Sequence, residues 1–88
     1  MALELDLSGR TAIVTGAGRG IGEEIATHVA AAGADVVLAA RTASEIEATA
    51  EDVEAAGVSA LAVPTDLGDP GDVDRLVEET VESFGAPD

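Results

Sequence analysis

Residues Thr11-Ala12-Ile13-Val14-Thr15-Gly16-Ala17-Gly18-Arg19-Gly20-Ile21-Gly22 decide the fold. Thr11–Thr15 is a short, apolar, β-branched run that stops at Gly16, the pattern of a buried strand. From Gly20 onward the apolar positions Ile21, Ile25 and Val29 recur four apart, with Ala26, Ala30 and Ala32 filling the same side. That spacing predicts a helix, stopped by Gly33. The glycine-rich segment between them is a sharp turn from strand to helix. Gly16 lets the chain reverse without a Cβ clash, Gly20 lets backbone approach a ligand, and Gly22 lets the helix pack closely on the sheet. Amides at the helix start, with the positive end of its dipole, suit a pyrophosphate. No Gly-Lys-Ser/Thr follows, so the turn is not a P-loop.

The alternation continues outward. Asp35–Ala40 reads as a second buried strand. Thr42 and Glu45 have capping-box spacing, with Thr42 as N-cap and Glu45 at N3. The helix behind them places Ile46, Ala50 and Val53 on one face and most of its acids on the other, and Gly57 ends it. Residues 58–63 predict a third strand, closed by Pro64. Asp69 and Pro70 start a third helix as N-cap and N1. Its inner stripe is Val73, Leu76, Val77, Val81 and Phe84, its solvated face carries Glu78, Glu79 and Glu82, and its stop is Gly85. The order β-α-β-α-β-α, with near-continuous apolar strands, argues for a parallel sheet covered on both faces and the first strand at one edge.

Composition bounds the function. The chain has 88 residues, with 18 acidic side chains against 4 basic ones and a net charge of −14. The basic residues are Arg10, Arg19, Arg41 and Arg75; Lys, Cys, Trp, Tyr, Asn and Gln do not occur. Without Cys, and with His28 alone, neither a Cys/His zinc site nor a disulfide framework is available, and no metal site is expected. His28 reads as a partly exposed helix residue. So acidic a chain is not held to nucleic acid or anionic lipid by bulk charge. No apolar run approaches the roughly 20 residues of a membrane span. The segment 1–7 carries Glu4 and Asp6 and no positive charge, unlike a secretory signal, so a cytoplasmic protein is expected. One domain over residues 1–88 is the natural count, with a core burying roughly 60–65% of the unfolded surface.

The usual Gly-x-Gly-x-x-Gly pattern is not matched. What fits is Thr-Gly-x-x-x-Gly-x-Gly, as Thr15, Gly16, Gly20 and Gly22. That pattern at the end of the first strand resembles the short-chain dehydrogenase/reductase family, and the lead-in Leu7-Ser8-Gly9-Arg10 and the later Thr65-Asp66-Leu67 are similar to it too. Within the family the chain is similar to reductases of the 3-oxoacyl-acyl-carrier-protein kind. The resemblance covers essentially the whole chain. It implies a Rossmann-type, doubly wound α/β fold, here truncated to β-α-β-α-β-α, as a partial dinucleotide-binding domain.

Charge speaks to the cofactor. In dinucleotide-binding folds an acid at the end of the second strand bonds the ribose 2′-OH and selects NAD. Here that strand runs into Arg41 and Thr42, and Arg19 lies in the glycine-rich turn. Two guanidiniums can pair with a 2′-phosphate that a carboxylate would repel. The same arrangement in the family implies NADP(H) rather than NAD(H). Either arginine could instead cap a surface or pair with a nearby Glu. Asp66 and Leu67 resemble the family's adenine-contacting pair; Asp66 could also simply start the turn into the third helix. The cofactor-binding set is therefore Gly16, Arg19, Gly20, Ile21, Gly22, Arg41, Thr42, Asp66 and Leu67.

The family's hydride transfer between nicotinamide and a carbonyl or alcohol needs a tyrosine, a lysine four residues later, a serine and an Asn-rich fourth strand. This chain contains no Tyr, Lys or Asn, and it stops at Asp88, where that strand would begin. The expectation is an amino-terminal cofactor-binding piece of a reductase acting on a small molecule. It would be inactive alone, with any homo-oligomer contacts lying further along. A gene fragment, a truncated chain or a piece of a split frame all fit. The alternative is a non-catalytic module that keeps nucleotide recognition or pairs its open sheet edge with a partner; epimerase or dehydratase chemistry on the same scaffold is a third reading. A downstream frame encoding Asn-Asn-Ala-Gly and Tyr-x-x-x-Lys favours the reductase.

Acid-rich, lysine-free surfaces suit high salt, where self-repulsion is screened within about 3 Å at 1 M. The same acids would also keep an ordinary small protein in solution. A halophilic origin predicts a higher Tm in multimolar than in dilute KCl; equal melting temperatures in both remove that reading.

Overall fold

The computed structural model describes residues 9–16 and 20–84. Strands and helices alternate along them: β1 (Thr11–Thr15), α1 (Gly20–Ala31), β2 (Asp35–Ala40), α2 (Ala43–Glu54), β3 (Ala60–Pro64) and α3 (Pro70–Phe84). The three strands form one sheet in the order β1-β2-β3, parallel throughout, so β1 lies at an edge as expected. Thr11 stands opposite Asp35, and Val36 opposite Ala60.

Side chains alternate across the pleat and so divide the core in two. Val36 and Leu38 of β2 and Val14 of β1 point to one face, where Ala26 and Ala30 of α1 and Ile46 and Val53 of α2 cover them. Val37 and Ala39 of β2 and Val63 of β3 point to the other, under Leu76 of α3. Helices on both faces of a parallel sheet make a truncated Rossmann-like α/β fold. Val36, Val37 and Leu38 are fully buried, and each contributes about 1.5–3 kcal/mol through burial.

Several local details differ from the sequence reading. The third strand begins at Ala60 rather than residue 58, and includes Pro64. The Ser59 N–H is taken by Asp35 Oδ1 at 2.9 Å, so β3 leaves its connection two residues late. Thr42 is the N-cap of α2, but its hydroxyl makes no capping hydrogen bond. Its carbonyl instead accepts from the Glu45 and Ile46 amides at 3.2 and 3.3 Å. Asp69 caps α3 as expected, its Oδ1 accepting from the Gly71 N–H at 2.9 Å. The stop at Gly85 lies outside the described residues.

The apolar stripes are narrower than the periodicity implied. Ile21, Ile25, Val77 and Val81 are exposed, while Ala26, Ala30, Leu76 and Thr80 are buried. Strands about 4.8 Å apart make a three-stranded sheet only about 10 Å wide, close to one helix diameter. Each helix therefore seats a single column, and residues 100° away from it face out. Thr49 and Thr80 occupy such columns, each hydroxyl donating to the carbonyl four residues earlier, Glu45 O at 3.2 Å and Leu76 O at 2.8 Å. Glu79 is half-buried rather than fully solvated, because it lies three residues after Leu76 on the same side of α3. Among the described residues no helix is long and apolar enough to cross a membrane.

Candidate functional site

The parallel register continues one residue past β1 and one residue past β3. The Gly16 N–H donates to Ala39 O, and the Thr65 N–H donates to Ala40 O, both at 2.8 Å. The chain therefore leaves all three strands at the same edge, at their carboxyl ends, where α/β sheets bind ligands. A hollow of about 380 Å³ opens there, lined by Gly16, residues 39–42, Glu45 and residues 65–68. That volume is within the usual range for small-molecule sites.

Gly16 turns the chain with φ +65°, and Gly20 enters α1 with φ +65°. Side-chain-bearing residues adopt that conformation only with strain. Space beside both is open, with no atom within 4 Å of where a Cβ would stand. The first amides of α1 have no acceptor inside the helix.

Opposite the bend, Arg41 and Asp66 meet across the hollow's rim, Nη2 to Oδ2 at 3.4 Å. The Arg41 side chain is 78% exposed, so water screens the pair and the guanidinium is available to a competing anion. Asp66 is held by its own loop: Oδ1 accepts from the Gly68 N–H at 2.9 Å. That hydrogen bond first, and the Arg41 charge second, hold the Asp66 carboxyl below its ordinary pKa. Buried Thr65 ties the loop to the sheet, its hydroxyl donating to Val63 O at 2.8 Å.

The structure thus brings Gly16, Arg41, Thr42, Asp66 and Leu67 together around one hollow. Gly20, Ile21 and Gly22 stand at the start of α1 beside it, not in its wall, and Ile21 is 77% exposed. Arg19 lies outside the described residues. Sequence reasoning missed Glu45 as a wall residue; it is the N3 residue of α2, three positions after the Thr42 cap, which its spacing could have signalled. His28 is exposed on α1, its Nδ1–H donating to Glu24 O at 2.9 Å, away from this site. Among the described residues, no group of three or more His, Cys, Asp or Glu side chains is placed to hold a metal ion.

Comparison with known proteins gives consistent matches. Residues 10–88 match the model of the short chain dehydrogenase family. The chain is 45% identical over 82 residues to an uncharacterized oxidoreductase of Mycobacterium tuberculosis, covering 93% of this chain and 31% of that protein. L-Sorbose reductase from Gluconobacter frateurii, solved with NADPH and L-sorbose, superposes with a TM-score of 0.92 at 38% identity, over 98% of this chain and 33% of that one. A metagenomic short-chain oxidoreductase solved with NADP superposes with a TM-score of 0.87 at 36% identity, over 93% and 37%. The chain spans about a third of the length of these relatives.

Because Asp66 titrates low in the folded chain, its contribution to stability is complete above the ordinary carboxylate range and is lost as pH falls through the lowered value. Arg41→Ala is expected to move the Asp66 pKa only part of the way back, since the Gly68 N–H remains. Carboxyl-detected NMR titration reads this directly. Full return to the ordinary value would show that Arg41, not the loop amide, sets it.

Proposed function

The chain belongs to the short-chain dehydrogenase family, and on that premise we propose that the hollow at the strand ends takes the adenosine half of NADP(H). The observation that carries this reading is the Arg41 guanidinium on the rim of a hollow that also holds the Asp66 carboxylate and opens beside the Gly16 bend. The first amides of α1 would face the diphosphate. Asp66 would accept from the adenine amino group, the Leu67 backbone would face the ring, and Arg41 with Arg19 would pair with the 2′-phosphate. When bound, the cofactor supplies or accepts a hydride at its nicotinamide ring.

In the whole protein, we propose, that hydride passes to a carbonyl or from an alcohol carbon of a small-molecule substrate. The residues that exchange the substrate proton would come from outside these 88, which include neither Tyr nor Lys. The chain then acts as one partial dinucleotide-binding domain. On this reading the 88-residue chain alone binds NADP(H) weakly and does not turn over; hydride transfer by the purified chain would overturn that. The acid-rich, lysine-free composition supports a halophilic setting.

Glu45 in the wall favours a second reading, NAD(H), because a carboxylate there can accept from a 2′-OH and repels a 2′-phosphate. NMR titration of the chain with adenosine 2′,5′-bisphosphate and with adenosine 5′-monophosphate separates the two. NADP(H) recognition predicts about tenfold or more tighter binding of the bisphosphate, as charge-assisted hydrogen bonds are worth about 1.5–3 kcal/mol. Arg41→Ala should erase most of that difference. Equal affinities in the unsubstituted chain contradict the reading, and tighter binding of the monophosphate favours NAD(H).

A further inference from the structure

The loop 65–68 forms one wall of the hollow, yet two residues outside that wall hold its backbone. Asp72 is the N3 residue of α3, counting from the Asp69 cap. The N3 acid of a capping box bonds the cap residue's own N–H. Here the Asp69 N–H is already given to Asp66 O at 2.9 Å. Asp72 reaches three residues further back instead, and its Oδ2 accepts from the Asp66 N–H at 2.9 Å. Arg75, one turn along α3, faces the other Asp72 oxygen at 3.5 Å and donates through Nη2 to Pro64 O at 2.7 Å. The loop is thus gripped at the Pro64 carbonyl and the Asp66 amide, the backbone groups on either side of Thr65.

We propose that Asp72 and Arg75 are positioning residues that set where the Asp66 carboxylate and the Leu67 backbone stand in the nucleotide hollow. This rests on the adenosine reading above. Asp66 has one oxygen committed to the Gly68 amide and the other toward Arg41. Through the Gly68 amide the carboxylate is tied to the loop backbone, so where the backbone stands sets where the carboxylate stands. Asp72 fixes that backbone at the residue that bears the carboxylate, and Arg75 orients Asp72 while holding the end of β3. Neither residue needs to touch the nucleotide, because each acts through the loop. Charge strengthens the grip, since a carboxylate accepting from an amide makes a charge-assisted bond, stronger than a neutral one.

The test uses the 88-residue chain, NMR amide exchange and titration with adenosine 2′,5′-bisphosphate. Asp72→Ala is expected to speed exchange at residues 66–68 by about tenfold and to weaken binding of the bisphosphate by about tenfold, the cost of losing one charge-assisted hydrogen bond. Exchange at Leu76 and Thr80, within α3, should change by less than about twofold. Asp72→Asn keeps an oxygen acceptor for the Asp66 N–H and should retain most of the affinity, whereas Arg75→Ala should fall between. Unchanged exchange at residues 66–68 in Asp72→Ala would overturn the proposal. So would equal acceleration throughout α3 with no rescue by Asn, which marks a purely structural role. If the unsubstituted chain binds no adenosine nucleotide, the adenosine reading fails, and this assignment to a nucleotide hollow fails with it; the exchange data would then still show whether the grip on the loop is real.

Discussion

The parallel register of β1, β2 and β3 is the constraint from which the site follows. Because Thr15 pairs with Ala39, and Ala40 with Pro64, the strands end in step. The ladder carries on into Gly16 and Thr65, so the glycine bend, the Arg41 segment and the Asp66 loop emerge within reach of one another. A slip of one residue would turn Val36 and Leu38 away from α1 and α2 and would misalign these exits. The packing that holds the register and the hollow that uses it are the same structure seen from two ends.

Much of this was legible from the residues. Buried parallel strands read as continuous apolar runs, and glycine punctuates both ends of α1 and the end of α2, so element order and topology follow from pattern alone. Gly33 and Gly57 both take positive φ where the sequence places the helix stops. The convergence of Gly16, Arg41, Thr42, Asp66 and Leu67 follows from topology, since each stands at the carboxyl end of a strand or just beyond it.

What was not legible depends on three-dimensional competition. Periodicity marks a side of a helix, not the width of what it packs against, so Ile25, Val77 and Val81 look like core yet stand exposed over a narrow sheet. Thr42 has the right spacing for a capping box, but its carbonyl rather than its hydroxyl serves the helix start. Asp35 drew the Ser59 amide and delayed β3, a contact across 24 residues that no local window contains. Nothing in the local sequence singles out Asp72 or Arg75. Their tie to Pro64 and Asp66 appears only once α3 folds back over the end of β3.

If the strand-end hollow and its glycine bend form one nucleotide site, a crystal structure of the chain with NADP bound will show it. The expected result is adenine against residues 65–68, the diphosphate at the amides that open α1, and the 2′-phosphate within hydrogen-bond reach of Arg41. A nucleotide lodged elsewhere, or the bend filled by the chain's own side chains, would contradict it.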